Sequence, residues 1–244
     1  MSLNLQSSFK YNLRRSERAK NIRILVKPDK IEVVAPHRTS EQKIKAFVEA
    51  QQDWIKSAII RIAERASRTP SLAPQHYADG VYIPFQGHQY PLAIKPVSSK
   101  TVRIQRLQDE SFLASVPHGL EQEQSSELIR LVLIRWIKSQ AKLQASLLIE
   151  KHAERFKLFP RSLRIKTQKS RWGSCGPQND INLNWMLMLA PPEILEYVIV
   201  HEICHIKHRN HSADFWLLVE KHLPDYLQRR HWLKTYGASL MKGL

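Results

Sequence analysis

The segment from Pro191 to Ile206 places the tightest constraint on how this chain folds. Pro191 and Pro192 suit the first turn of a helix. Ile194, Leu195, Val198, Ile199, Ile203 and Ile206 then spread apolar side chains over most of its surface. A helix apolar on most sides is a buried one, so the rest of the chain has to wrap around it. The same helix carries His201, Glu202 and His205. Burying two imidazoles and a carboxylate without partners costs several kcal/mol. Residues four apart share a helical face, so both imidazoles can reach one metal ion. Glu202 then sits beside a water held there, as in the HExxH pattern in which Glu is the general base. The expected cofactor is Zn2+, which suits such a donor set.

A catalytic zinc takes three protein ligands and keeps one position open. His211 follows His201 at the spacing of the third histidine in the metzincin pattern, although His208 stands where that pattern has glycine. His208 itself shares a face with His201 and His205 if the helix runs on. Glu220, from a following helix, is a further alternative. Asn210 tolerates left-handed geometry and could end the first helix. Ser212 is a good N-cap for a final amphipathic helix from Ala213 to His222, with Phe215, Trp216 and Val219 facing inward and Pro224 ending it.

Charge narrows the partners without choosing one. Lys and Arg number 38 against 22 Asp and Glu, a formal net of +16. The excess concentrates from Met1 to Pro70 and from Lys151 to Arg171. Such clusters suit an anionic partner, either nucleic acid or a phosphate-bearing substrate, besides the polypeptide substrate that an HExxH site implies. No run of 18 apolar residues occurs, so no membrane span is expected. The polar stretch Met1 to Phe9 lacks the apolar run of a secretory signal. Two cysteines, Cys175 and Cys204, make no disulfide framework, which fits a cytoplasmic setting.

Two segments read as a duplicated unit about 80 residues apart. NIRILVKPDKIEVVAPH and TVRIQRLQDESFLASVPH each hold two short alternating runs around an Asp-containing turn, and each leads to a helix that contains WIKS. The pattern predicts a β-hairpin followed by a helix, used twice. In the first helix the apolar stripe runs through Ile44, Phe47, Val48, Gln51, Trp54, Ile55 and Ile59. In the second, from about Ser125 to Phe156, it runs through Leu128, Leu131, Val132, Arg135, Trp136, Leu143 and Leu147. RTPSLAPQ, from Arg68 to Gln75, reads as a linker. Further strands are expected over Gly80 to Phe85, Gln89 to Ile94, Ser162 to Thr167 and Ile181 to Asn184. The expected fold is α+β, with a β-rich region over 1–120 and a zincin-like catalytic domain over 121–244.

Several stretches carry a resemblance: RWGSC from Arg171, INLN from Ile181, YVIVHEICHIKHRNHSADFW from Tyr197, LPDY from Leu223, and IEVVAPH and DWIK nearer the N-terminus. Together they resemble the YgjP-like metallopeptidase family, and more distantly the SprT-like and WLM proteases. The resemblance implies a zincin-like fold, His201, His205 and His211 as zinc ligands, and peptide-bond hydrolysis with Glu202 as base. Arg171, Asn184 and Tyr226 are candidates for contact with substrate, and Arg171, Tyr226 and His208 for holding the oxyanion. A His-rich site needs no thiolate, so Cys175 is expected to be neither nucleophile nor ligand. The alternatives are hydrolysis of a phosphate-bearing small molecule such as a nucleotide, and a nucleic-acid-associated protein with a structural zinc.

Overall fold

The computed structural model of the protein describes residues 9–27, 29–68 and 70–244. Residues 1–8, which include most of the polar N-terminal stretch, together with Pro28 and Thr69, lie outside them. The chain is mixed α+β and forms two compact units, Met1–Pro70 and Ser71–Leu244. It therefore divides between Pro70 and Ser71, and not at residues 120 and 121. Ile83, Phe85, Phe112 and Ala114, from strands before residue 120, share one hydrophobic core with Ile129, Leu133, Ile199 and Ile203 from helices after it. That shared core leaves no boundary there.

The first unit has three strands, β1 (Asn12–Ser16), β2 (Arg23–Lys27) and β3 (Lys30–Pro36), followed by α1 (Glu41–Ala50) and α2 (Gln52–Arg68). β3 lies in the middle, parallel to β1 and antiparallel to β2. Its β-branched run suits that place, and Val33, Val34 and Ala35 are fully buried. Ser40 caps α1, its hydroxyl accepting from the Lys43 backbone N–H at 3.4 Å. The expected single helix is broken at Gln51. Ile44, Val48 and Ile55 of its apolar stripe are buried, whereas Trp54 and Ile59 remain exposed.

The second unit opens with β4 (Tyr82–Phe85), β5 (His88–Val97), β6 (Arg103–Arg106) and β7 (Phe112–Pro117), in the order β4-β5-β7-β6. Next comes the long helix α3 (Gln122–Phe156). A second sheet, β8 (Ser162–Lys166), β9 (Gly173–Cys175) and β10 (Asp180–Asn184), takes the order β8-β10-β9. A 3₁₀ turn, Trp185–Leu189, leads to α4 (Pro192–Lys207), α5 (Ala213–His222) and α6 (Tyr226–Leu240). In all three sheets one pairing recurs: a strand runs parallel to the second strand of the hairpin that follows it.

The buried stripe of α3 is not the expected one. Ile129, Leu133, Ile137, Ala141, Ala145, Ile149 and Ala153 recur every four residues and face the core. Leu128, Leu131, Leu143 and Leu147 are exposed. The small Ala141 and Ala145 let neighbouring elements approach, which large side chains there would prevent. α4 is buried along most of its length, as its composition demands. α5 is not the last helix. After Leu223, α6 packs on α4, with Arg229 donating to Glu196 Oε2 at 2.7 Å.

Candidate metal centre

His201, Glu202 and His205 occupy the last turns of α4, and His208 ends that helix in an extended conformation. The loop that follows carries His211. Ser212 then starts α5, accepting from the Phe215 backbone N–H at 3.4 Å. This turn brings His211 back over α4. His211 Nε2 and His201 Nε2 are 3.0 Å apart. One nitrogen from each of His201, His205 and His211 lies within 4.8 Å of the others. Phe215 forms the floor, with its ring 4.6 Å from that of His205 and 4.9 Å from those of His201 and His211.

The ring nitrogens of His205 and His201 differ in their partners. His205 Nδ1–H donates to the His208 carbonyl at 2.9 Å, which leaves Nε2 as its lone-pair nitrogen. His201 Nδ1 is buried without a partner, so the polar capacity of that ring lies at Nε2. Burial, reinforced by the charges of His205 and His211, holds the His201 pKa down to about 3. Burial also lowers that of His205. Neutral imidazoles are the ligand form of histidine. Three imidazoles converging from α4 and the loop after it fit a divalent zinc-type ion.

Glu202 is buried, and burial pushes its carboxyl up to about 7, against a hydrogen bond from the Cys175 backbone N–H and the charge of Arg171. A carboxylate that holds or releases a proton near neutrality is what general acid–base work requires. Gly173 leaves the room it occupies, because a Cβ there would lie 2.6 Å from Glu202 Oε1.

The alternatives for a third ligand fall away on position. α4 stops at Lys207, so the His208 ring leaves the face shared by His201 and His205, and His208 contributes its carbonyl instead. Glu220 is exposed on α5 and lies outside the cluster. Among the other candidates, Arg171 is exposed and acts electrostatically on Glu202. Tyr226 stacks on Trp216 at 5.5 Å, and Trp216 stacks on His211 at 5.6 Å. Asn184 is not available to substrate. It is 1% exposed, its amide donates to the carbonyls of Gln168 and Arg171, and its Oδ1 caps the 3₁₀ turn through Met186 N–H. Cys175 is half-buried and its thiol is raised by burial, which suits neither nucleophile nor ligand.

Arg209 also belongs to the site, although it escaped the sequence reading. It donates to the Gly176 carbonyl at 2.9 Å, to the Pro177 carbonyl at 3.3 Å and to Asn179 Oδ1, tying the loop between His205 and His211 to the β9–β10 turn. A cation set among the candidate ligand histidines was the available signal. Arg230, missed as well, lies over the Trp216 ring at 4.5 Å.

No curated protein aligns with the chain. A family model, the YgjP-like metallopeptidase domain, matches residues 20–236, a span that takes in every element from β2 to α5 and most of α6. With so much of its length matched, the chain belongs to the YgjP-like metallopeptidase family.

Proposed function

We propose that this metallopeptidase is a zinc-dependent enzyme of zincin type that cleaves peptide bonds. The observation that carries the reading is the meeting of His201, His205 and His211 nitrogens within 4.8 Å, beside a buried Glu202. The three histidines would hold the ion as neutral imidazoles through Nε2. Zinc, when bound, supplies a Lewis acid that acidifies water and polarises a carbonyl.

The remaining work falls to residues of the chain. Glu202 takes a proton from the attacking water at its carboxylate and passes it to the leaving amine. Gly173 and the Cys175 N–H keep that carboxylate aimed. β9 lies at the edge of its sheet, and the pairing of Asn182 with Ser174 leaves the backbone groups of Gly173 and Cys175 turned away from β10. The Gly173 groups suit an extended peptide laid alongside. Arg171, two residues before Gly173, and Tyr226, stacked on Trp216, are the candidates for contact with substrate. Both cysteines are free, which suits a reducing, cytoplasmic compartment. The shared strand pairing of the two hairpin–helix segments supports an origin by duplication.

The test combines metal analysis with a substrate screen. The purified protein, supplied with zinc, should hold about one ion per chain and cleave unstructured polypeptides. Glu202→Gln should keep the metal and lose turnover. Absence of bound metal, or hydrolysis of nucleotides with polypeptides left intact, would overturn the reading.

A further inference from the structure

Two exposed arginines near the histidine cluster form no ion pair among the described residues: Arg230 beside Trp216, and Arg171, whose charge reaches Glu202. Their contrast with a neighbour is informative. Arg229 is fully engaged, donating to Glu196 Oε2 at 2.7 Å, to Asp225 Oδ2 at 2.8 Å and to the Glu193 carbonyl at 3.1 Å. Arg230, the next residue, has no ion pair among the described residues. Its guanidinium instead lies over the Trp216 ring, 4.5 Å from the centroid. Trp216 in turn stacks on His211 at 5.6 Å and lies 5.8 Å from His201. Arg230 is thus fixed on the wall of the cluster by a cation–π contact, which holds a guanidinium while leaving its N–H groups free. Its charge is felt at His201 and at Tyr197. On the Glu202 side, Arg171 is exposed and likewise has no ion pair among the described residues.

The charges do not balance. A divalent ion held by the three histidines would bring two positive charges and the two arginines add two more, against at most one negative charge from Glu202. A ligand that carries carboxylates relieves this excess, and a planar guanidinium receives a carboxylate through two parallel hydrogen bonds. The net charge of +16 draws such a ligand from a distance.

We propose that Arg230, presented on Trp216, makes the site selective for acidic polypeptides, with an Asp or Glu side chain of the substrate seated on the Arg230 guanidinium and the charge of Arg171 near Glu202 adding to the attraction. This rests on the peptidase reading and adds a substrate class to it. An acidic polypeptide is favoured over nucleic acid because Glu202 adjoins Gly173 of the edge strand β9, and a sheet edge suits extended backbone.

Binding and cleavage are measured separately, so that the two readings can fail separately. Zinc-loaded Glu202→Gln is titrated with labelled peptides of alternating Glu and Ala, Gln and Ala, or Lys and Ala, followed by fluorescence anisotropy. The Glu peptide should bind at least about tenfold more tightly than the Gln peptide. Arg230→Ala in the same background should erase that ratio, and Arg230→Glu should transfer the preference to the Lys peptide. An unchanged ratio in both variants would overturn the proposal. So would tighter Arg230-dependent binding of a single-stranded oligonucleotide than of the Glu peptide. Zinc-loaded wild type is then incubated with the same peptides. Arg230-dependent binding of the Glu peptide without cleavage of any of them would sink the peptidase reading and leave the acidic preference standing.

Discussion

Gly173 lies so close to Glu202 that a Cβ at position 173 would stand 2.6 Å from Oε1 and 2.8 Å from Cγ. The substitution Gly173→Ala therefore moves the carboxylate or the strand. A displacement of about 1 Å at a reacting group costs roughly 10²-fold in rate. Gly173→Ala should lower kcat/KM by about that factor while the circular dichroism spectrum and zinc content stay those of wild type. Full activity would show that Glu202 is not held by this contact.

Metal affinity should follow position in the fold and not the count of nearby donors. Loss of a partner that only orients a ligand weakens metal binding by about 10–100-fold. Arg209→Ala, which frees the ligand loop from the β9–β10 turn, should fall in that range. His211→Ala should exceed it, and Glu220→Ala should leave affinity unchanged. Competition with a zinc indicator dye measures all three. Equal losses for His211→Ala and Glu220→Ala would remove His211 from its place.

The buried contact of His152, His222 and Glu196 should contribute to stability in two separate pH windows. His152 and His222 are buried, with Nδ1 to Nδ1 at 3.1 Å, and His152 Nε2–H donates to Glu196 at 3.0 Å. Burial, then the charges of His152 and Arg155, push His222 down to about 4. The unfolded chain takes up that proton near 6.5 and the folded chain refuses it, so stability falls as pH drops from 6.5 towards 4. Glu196 is held at about 2. Its burial, the largest influence, acts the other way and is outweighed by hydrogen bonds from Lys151, Arg229 and His152. Its contribution is present above 4.5 and is lost as pH falls from there towards 2. Urea midpoints against pH should show both slopes, and His222→Phe, which keeps a ring against Phe156, should flatten the upper one. An unaltered upper slope would assign it to other groups.

The two faces of α3 should answer truncation differently. Ile137 is fully buried and Leu147 is 58% exposed. Ile137→Ala should cost about 2–5 kcal/mol, and Leu147→Ala within about 0.5 kcal/mol, as for surface positions. Chemical denaturation of the two variants decides it, and comparable losses would mean that the leucine face is covered in solution.

What the sequence made legible was local. His201, Glu202 and His205 stand on one helix, so helical spacing alone brings them together. Ser212 capping the helix through His222 needed only neighbouring residues. What stayed hidden depends on meetings across the fold. Gly173 matters because α4 passes it, Arg209 because of the β9–β10 turn, and Arg230 because Trp216 comes from another helix. The stripe on α3 was misread because Ala141 and Ala145 carry little hydrophobic signal, while four leucines elsewhere carry much. Asn184 was placed at the substrate because a buried amide that clamps backbone and an exposed one that recognises ligand look the same in a sequence. α6 was overlooked because its inward face includes Arg229, whose partners Glu196 and Asp225 are visible only once the helices pack.

The pairing repeated in all three sheets has a consequence for the order of folding. Parallel strands ordinarily wait for a crossover of about a dozen residues or more, usually a helix. Here each such crossover contains another strand of its own sheet, so the three described sheets close through nearby parts of the chain. Low sequence separation between partners speeds formation. The histidines are also close in sequence, but the complete site has no such advantage, since Glu202 needs Gly173 and the wall over His211 needs α6. Amide-exchange labelling during refolding should find the sheets protected before the loop from His208 to Ser212. The chain would thus finish its scaffold first, and acquire the means to cut a polypeptide only in its final step.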